Sequence, residues 1–296
     1  MVRYWRCGRF RISLDVPRLM GVINVTPDSF SDGGRFFDPA KALAHARMLV
    51  DDGADILDVG GESTRPGAAE VSEREELGRV LPVVDGLAGA TVAVSIDTAK
   101  PAVMRAAIAA GASIVNDIHA LRAPGALEVI AQSQVGVCVM HMQGTPRTMQ
   151  REPRYDDVVG EVLDFLAERV DALLHAGITR DRIAIDPGIG FGKTLAHNLA
   201  LLRALPRMHR LDCAVLVGLS RKSMLGALTG RATEERQAAS LGGALWCVLH
   251  GADIIRVHDV RETRDALAVW QGLSGAPSGM PVPGTGSNPT QKKIDL

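Results

Sequence analysis

A repeated unit, a short apolar run followed by an amphipathic helical pattern, most strongly constrains the fold of this chain. The unit occurs eight times between residues 19 and about 271. The apolar runs are continuous rather than alternating, as expected for strands buried on both faces of a parallel sheet. Eight such units over about 250 residues predict an α/β fold, the TIM (β/α)8 barrel. A doubly wound sheet is the alternative, but the regularity of the units favours a closed barrel.

The segment after the first predicted strand illustrates how the helices are identified. Within residues 38–54, Asp38 is suited to cap a helix, Pro39 to occupy its first turn and Gly53 to end it. Comparable start and stop residues predict further helices over residues 101–110, 124–133 and about 155–175.

The units divide the chain into three parts. Residues 1–18 are predicted to be an N-terminal lead-in segment, residues 19–272 the barrel, and residues 273–296 a tail rich in Pro, Gly and Ser. Because such a tail buries too little apolar surface to order itself, we expect it to be flexible.

The composition argues against several classes of partner. The formal net charge of −1 provides no global basic field for a nucleic acid, and no polybasic segment favours an anionic membrane. No run reaches the ~18 apolar residues of a membrane span, and no signal peptide is evident. Cys7, Cys138, Cys213 and Cys247 are isolated in sequence and read as buried free thiols in a reducing compartment. We therefore expect a cytoplasmic protein that binds neither nucleic acid nor membrane.

The first strand leads into an unusual loop within the stretch VINVTPDSFSDGGRFF, residues 22–37. An ordinary surface turn is one interpretation, because Pro, Asp, Ser and Gly are typical turn residues. In a TIM barrel, however, the loops after the strands form the rim that carries the active site. The glycines would then allow this loop to move like a lid.

Acidic and amide residues end several of the predicted strands. Asn24 ends the first strand, Asp97 the third, Asn116 and Asp117 the fourth, and Asp186 the sixth. Each alone is more typical of a strand end or a helix cap. Together, Asp97, Asn116 and Asp186 could line a pocket in the barrel mouth and accept hydrogen bonds from a flat ligand with adjacent N–H groups, such as a 2-amino-4-oxopyrimidine ring.

Cationic residues follow the last two strands, where this fold commonly binds phosphate. Arg256 and His258 alternate on the eighth strand and therefore face the same side. Both can donate hydrogen bonds to phosphate oxygens. The alternative is that Arg256 forms a buried ion pair with Asp253 or Asp259.

Other chemistry-bearing motifs are absent from the sequence. The segment DPGIGFGKT suggests a P-loop, but Pro187 occupies the position of its first glycine and Gly188 lies one residue too late. The chain also has no G-x-G-x-x-G dinucleotide motif, no H-E-x-x-H or Cys/His zinc cluster, and no G-x-S-x-G nucleophile elbow.

Seven ordered segments resemble the dihydropteroate synthase family. They are GVINVTPDSFSDGG, DVGGESTRPG, SIDT, VNDI, IDPGIGFGKT, GLSRKS and RVHDV, and the similarity spans residues 19 to about 271. The resemblance implies a TIM barrel, usually homodimeric, that uses Mg²⁺. The family joins 6-hydroxymethyl-7,8-dihydropterin pyrophosphate to p-aminobenzoate and forms 7,8-dihydropteroate and pyrophosphate in folate biosynthesis.

The resemblance also implies roles for individual residues. The pterin would be held by Asp97, Asn116, Asp186 and Lys222, and the pyrophosphate by Asn24, Arg256 and His258, with Asn24 also near Mg²⁺. The p-aminobenzoate side would be shaped by Phe30, Thr64, Arg65, Pro66, Phe191, Lys222 and Ser223. The implied catalytic residues are Asp32, Lys222 and Arg256, with Asp32 offsetting positive charge on the reacting pterin.

Two alternatives share parts of this pattern. Pterin-binding methyltransferases share the barrel and the pterin-binding acids, but they should not need the full set of Asp32, Thr64–Arg65–Pro66 and Ser223. A non-catalytic paralogue that only binds pterin phosphates is the second alternative, and the presence of Asp32 and Lys222 argues against it.

Overall fold

The computed structural model describes residues 4–26, 38–64 and 67–274. Within these ranges the strands are β1 (Tyr4–Cys7), β2 (Phe10–Ser13), β3 (Arg18–Asn24), β4 (Ile56–Gly60), β5 (Ala93–Asp97), β6 (Ile114–Asp117), β7 (Gly136–Met140), β8 (Ile183–Asp186), β9 (Ala214–Val217) and β10 (Ile254–Val257). The α-helices are α1 (Pro39–Asp51), α2 (Glu73–Gly86), α3 (Pro101–Ala109), α4 (Ala126–Ala131), α5 (Val158–His175), α6 (Leu195–Arg203), α7 (Ser223–Thr229), α8 (Gln237–Leu249) and α9 (Val260–Ser274).

Strands β3 to β10 form a closed parallel barrel in sequential order, with β10 pairing β3 to complete it. The predicted TIM barrel is therefore confirmed, and the doubly wound alternative is wrong. Each of the eight predicted apolar runs is one barrel strand. Their outward-facing residues pack against the helices in the main hydrophobic core, which explains why the runs are apolar on both faces.

The inward-facing side chains are arranged in layers, because alternate residues of each strand point into the barrel. The layer nearest the amino ends of the strands is apolar and includes Met20, Ile56, Ala93, Ile114, Cys138, Ala184, Leu216 and Ile254. Two residues further along, the same faces of the strands carry Asp58, Ser95, Asn116, Asp186 and Arg256. The barrel interior thus changes from apolar to polar toward the carboxyl ends of its strands.

The N-terminal segment, predicted only to be a lead-in, forms two strands. Strands β1 and β2 pair as an antiparallel hairpin, and Trp5 and Cys7 are completely buried among the apolar residues at the amino end of the barrel. The indole Nε1 of Trp5 donates to the carbonyl of Arg182 at 2.9 Å. The hairpin therefore closes this end of the barrel.

The helix limits follow local capping residues. Asp38 caps α1 by accepting from the amide of Ala40, as predicted, and Gly53 follows the helix with a φ of 98°. Helix α5 begins later than predicted because the Asp157 side chain accepts from the amide of Val159 and starts the helix there. Helix α4 is shorter than predicted at both ends.

All four cysteines are free and buried, as predicted. Among the helices of the described ranges, none has the length and apolar character needed to cross a membrane. The predicted tail over residues 275–296 and the glycine-rich loop over residues 27–37 lie outside the described residues.

Candidate active site

A network of charged and amide side chains lies in the barrel mouth, and Arg256 on β10 is its centre. The guanidinium Nε donates to Asp58 Oδ2 at 2.6 Å, and Nη2 donates to Asp97 Oδ2 at 2.9 Å. These two carboxylates raise the pKa of Arg256, although burial opposes the shift. Arg256 is therefore a fixed cation that reaches across the barrel from β10 to β4 and β5.

The suggested partners of Arg256 were wrong. Asp253 accepts a hydrogen bond from the amide of Val215 at 2.8 Å, and Asp259 pairs with Arg221. Arg256 is ion-paired, but with acids from the facing side of the barrel rather than with its neighbours in sequence. The side chain remains 24% exposed, so the guanidinium is accessible from the mouth.

Asp58 is a central residue that sequence analysis missed. It is completely buried, and its Oδ2 accepts from both Arg256 and the Asn116 Nδ2, the latter at 3.2 Å. Its Oδ1 has no hydrogen-bond partner within the described residues. The available signal was an acid inside the apolar run ILDVG, at the position where a strand residue faces the interior. Because Asp58 lies in the middle of β4, a search restricted to strand ends does not find it.

The predicted residues Asp97 and Asn116 belong to the same network. Asn116 is buried and bonds Asp58, while Asp97 is bound to Arg256. Burial raises the pKa of Asp97 to about 7, against the attraction of Arg256 and with a contribution from the nearby charge of Asp58. Burial and the ion pair with Arg256 therefore act on this carboxyl in opposite directions.

Asp186 ends β8 and is held by the loop that follows. Its Oδ1 accepts from the amide of Gly188 at 2.7 Å, and the side chain is buried. Gly188 has a φ of 68°, and a Cβ there would lie 1.8 Å from the carbonyl oxygen of His141, so only glycine fits. Burial raises the pKa of Asp186 despite the opposing effects of Lys222 and of the Gly188 amide.

Lys222 lies close to the same loop and connects two predicted subsites. Its Nζ donates to the carbonyl of Ile189 and lies 4.8 Å from the centroid of the Phe191 ring. Burial lowers the pKa of Lys222 to about 8, although the Asp186 charge opposes the shift. The structure therefore places Lys222 close to both Asp186 and Phe191.

His258 follows β10 and is held by a residue that sequence analysis did not select. Its backbone amide donates to Ser220 Oγ at 3.2 Å, and its Nδ1 lies 2.9 Å from the same oxygen. Ser220 lies in the loop after β9, so it links the two loops that were expected to form the phosphate site. The predicted residue Ser223 is exposed at the first position of α7.

Lys193, from the rejected P-loop segment, has a different role. It is buried, and its Nζ lies within 3.0 Å of the carbonyl oxygens of Gly188 and Phe191 and of the Nδ1 of His141. Burial lowers the pKa of Lys193 to about 7, and burial together with Lys193 lowers that of His141 to about 3. Lys193 therefore ties the loop after β8 to the end of β7 rather than facing a phosphate.

The remaining predicted residues are distributed around the rim. Asn24 ends β3 and Thr64 follows β4, and both are half-buried. Phe30, Asp32, Arg65 and Pro66 lie outside the described residues.

The polar mouth and the barrel together define the class of protein. The family model for pterin binding enzymes matches residues 20–258, which include the network around Arg256 and the loop after β8. The chain is thus a member of the pterin-binding class of barrel enzymes.

Within that class, the chain belongs to the dihydropteroate synthase family. The dihydropteroate synthase of Neisseria meningitidis serogroup B is 52% identical over 276 residues, which cover 91% of this chain and 97% of that protein. The Xanthomonas albilineans enzyme with 4-aminobenzoic acid superposes with a TM-score of 0.88 at 50% identity, covering 94% of this chain and 100% of that one. The Burkholderia cenocepacia enzyme complexed with 7,8-dihydropteroate has a TM-score of 0.85 at 49% identity and covers 92% and 97%.

Proposed function

We propose that this chain condenses 6-hydroxymethyl-7,8-dihydropterin pyrophosphate with p-aminobenzoate to give 7,8-dihydropteroate and pyrophosphate. The observation that carries this proposal is the polar layer in the barrel mouth, where buried acids and an amide lie beside Arg256 and Lys222. Solved relatives that are 49–50% identical hold 4-aminobenzoic acid or 7,8-dihydropteroate, which are the second substrate and the product of this reaction.

The pterin is assigned to Asp97, Asn116, Asp186 and Lys222. A buried carboxylate needs donors to replace water, and the adjacent N–H groups of a 2-amino-4-oxopyrimidine edge provide two in one plane. Asp186 already accepts from Gly188 through Oδ1, which orients the carboxylate and leaves Oδ2 for a ligand. The unpartnered Oδ1 of Asp58 adds a further acceptor in the same layer.

The pyrophosphate is assigned to Arg256, His258 and Asn24, at the ends of the first and last barrel strands. Strands β3 and β10 pair directly, so their ends adjoin each other on the rim. Arg256 is anchored by two acids, which hold its guanidinium in place before an anion arrives. Such preorganised cations stabilise charge that develops on a departing anion.

The p-aminobenzoate side is assigned to Phe191, Lys222, Thr64 and Ser223, with Phe30, Arg65 and Pro66 as further members. The contact between Lys222 and the Phe191 ring supports an aromatic wall beside a cation, which suits an aromatic acid. Lys222 also adjoins the loop that holds Asp186, so the two substrates would meet there.

The reaction is a substitution at the pterin methylene. The C–O bond to pyrophosphate breaks and the electron pair leaves with pyrophosphate, so positive charge develops on the methylene and the ring. The amine of p-aminobenzoate supplies the electron pair of the new C–N bond and loses a proton. Arg256 and His258 would stabilise the leaving group, and Asp32 is proposed to offset the cation.

Mg²⁺ is a proposed cofactor, and the donor set fits it. Mg²⁺ at phosphate sites usually takes one or two protein oxygens, with phosphate oxygens and water completing the shell. Within the described residues, no group of three or more His, Cys, Asp or Glu side chains could hold a metal ion by itself. The amide oxygen of Asn24 would therefore hold the ion together with the substrate. When bound, Mg²⁺ would neutralise charge on the pyrophosphate.

A homodimer and a cytoplasmic location complete the proposal. Helices α8 and α9 contact each other and carry four exposed large apolar side chains, which supports self-association. These residues are Trp246, Leu249, Val269 and Leu273.

The proposal is tested by mixing the purified chain with dihydropterin pyrophosphate, p-aminobenzoate and Mg²⁺ and separating the products by chromatography. We expect 7,8-dihydropteroate and pyrophosphate in equal amounts. Pterin binding without product would identify the non-catalytic alternative. Methyl transfer from a methylated folate to a corrinoid acceptor, with no dihydropteroate, would identify the methyltransferase alternative.

A further inference from the structure

A second buried charge cluster lies beside the barrel mouth and takes no part in the mechanism above. The Lys100 Nζ lies 2.5 Å from Glu62 Oε2 and 2.5 Å from Glu76 Oε2. Glu76 is completely buried, while the side chains of Lys100 and Glu62 are 19% and 25% exposed. One ammonium therefore bridges two carboxylates from different elements.

Glu62 connects this cluster to the loop after β4. Its Oε1 accepts from the amide of Val71 at 3.0 Å, so one side chain joins the start of the loop to its end. Thr64, which is assigned to the p-aminobenzoate side, lies two residues after Glu62. The position of Glu62 therefore determines where this part of the loop leaves the barrel.

Glu76 connects the cluster to α2. Because Glu76 is a second acid, the cluster needs the positive charge of Lys100 to balance its two carboxylates. The Oε1 of Glu76 has no hydrogen-bond partner within the described residues. Without Lys100, two carboxylates would face each other with no cation between them. Burial lowers the pKa of Lys100, but hydrogen bonds to Glu62 and Glu76 outweigh it and raise the pKa above the ordinary value.

Lys100 is also connected to the strand ends assigned to the pterin. Its backbone amide donates to Thr98 Oγ1 at 3.2 Å, and the amide of Thr98 donates to the carbonyl of Asn116 at 3.1 Å. Thr98 directly follows Asp97. Lys100 therefore connects the strand ends assigned to the pterin with the loop that carries Thr64.

We propose that Lys100 is a positioning residue for the second substrate. Through Glu62, it holds the first residues of the loop after β4, up to Thr64, at a fixed position relative to Asp97 and Asn116. Lys100 acts through Glu62, and the inference rests on the proposed function because that function places p-aminobenzoate beside this loop.

The test compares steady-state kinetics of the wild type, Lys100→Met, Lys100→Arg and Arg264→Met. Lys100→Met is expected to raise KM for p-aminobenzoate about tenfold, since small displacements of positioning groups have effects of this order or more. KM for dihydropterin pyrophosphate should change less than about twofold. Lys100→Arg should recover most of the loss, because arginine can also bridge two carboxylates.

Arg264→Met is the matched control at the opposite end of the barrel. Arg264 is a buried cation that pairs with Asp55 at 2.7 Å, near the start of β4. Its loss should lower stability while leaving both KM values within about twofold of the wild type. If Lys100→Met does not fold, Glu62→Gln is measured in its place. This change keeps the Lys100–Glu76 ion pair and removes only the ion pair between Lys100 and Glu62, which connects Lys100 to the loop.

Hydrogen–deuterium exchange of the peptide covering residues 62–71 provides a readout that needs no activity. Lys100→Met should accelerate its exchange, and Arg264→Met should not. Equal KM values for p-aminobenzoate in wild type and Lys100→Met, with unchanged exchange, would overturn the inference. If the wild type forms no dihydropteroate, the proposed function fails, and the exchange result alone decides whether Lys100 fixes the loop.

Discussion

At the scale of single residues, Asp58 and Arg256 show why the barrel mouth is specialised for binding. A buried carboxylate contributes little to stability unless donors replace its lost water, and Asp58 has donors on only one of its two oxygens. Such an arrangement is reasonable where a ligand supplies the missing donor. The charge on Asp58 also orients the guanidinium of Arg256.

Asp58→Asn should weaken both stability and binding. The substitution replaces a charged acceptor of two hydrogen bonds, so urea unfolding should show a loss of roughly 1.5–3 kcal/mol in the free energy of unfolding. KM for dihydropterin pyrophosphate should rise because Arg256 keeps only Asp97 of the two acids that orient it. Asp52→Asn is the control, since Arg261, the partner of Asp52, is 69% exposed. This control should change stability by less than about 1 kcal/mol, and an equal effect of both changes would refute the role given to Asp58.

The site was only partly predictable from individual residues. Asp97, Asn116 and Asp186 stand out because each ends an apolar strand, and all three lie in the mouth. Asp58 was missed because it lies within a strand, and Lys193 because its segment resembles a phosphate motif. Neither the burial of Lys193 nor the pairing of Arg256 with acids 198 and 159 residues away can be read from local sequence.

At the scale of elements, the loop after β8 is held by its own backbone and by Lys193. Gly188 passes so close to His141 that no side chain fits, and Lys193 binds the carbonyls on both sides of the turn. These interactions fix Phe191, on the loop, relative to Asp186, at the end of β8.

Lys193 should make stability depend on pH. Its pKa is about 7 in the folded chain, against roughly 10.4 for an unfolded lysine. Between these values the unfolded chain binds more protons, so the Lys193 contribution to stability should rise with pH, by up to about 1.4 kcal/mol per unit. The measurement is urea unfolding of wild type and Lys193→Met from about pH 7 to 10. Their difference should grow with pH, and a constant difference would show that Lys193 does not lose its proton in the fold.

The barrel strands were predictable for a reason that does not apply to the N-terminal hairpin. Strands buried on both faces are continuous apolar runs. Eight such runs that alternate with helices along the chain are compatible with few other folds. In β1 and β2, only Trp5 and Cys7 are fully buried and arginines separate the apolar residues. The barrel end that the hairpin covers has no signature in the local sequence.

At the scale of the whole molecule, the two substrates are assigned to different kinds of structure. The pterin side consists of three strand ends together with Lys222 from the loop after β9. The p-aminobenzoate side includes the loop residues Thr64 and Phe191. A bound pyrophosphate would touch Arg256 and His258 and complete the surface that the second substrate meets.

We therefore expect p-aminobenzoate to bind tightly only after the anion. Calorimetric titration with p-aminobenzoate, with and without pyrophosphate and Mg²⁺, should show at least about tenfold tighter binding in their presence, a coupling of about 1.4 kcal/mol. Equal affinities in the two titrations would show that p-aminobenzoate binds independently of the anion.

The exposed apolar residues of α8 and α9 predict self-association. Leu249 is 59% exposed and Leu273 is 85% exposed. Sedimentation should detect a dimer for the wild type and a shift toward monomer for Leu249→Asp, because a buried unpaired charge opposes association. Met48→Asp on α1, which is 47% exposed, is the control and should sediment as the wild type does. A wild-type monomer at micromolar concentration would contradict the proposed homodimer.

Binding of the pterin substrate is assigned to the polar layer of the barrel mouth. The measurement is calorimetric titration of dihydropterin pyrophosphate into wild type, Asp186→Asn and the control Asp181→Asn. Asp181 pairs with Arg6 of the N-terminal hairpin, at the opposite end of the barrel. Asp186→Asn exchanges an acceptor for a donor at the pterin edge, so its affinity should fall by at least tenfold, in line with the roughly 1.5–3 kcal/mol of a hydrogen bond to a charged group. Asp181→Asn should bind as the wild type does. If folded Asp186→Asn binds the pterin pyrophosphate with unchanged affinity, the pterin does not bind in this layer.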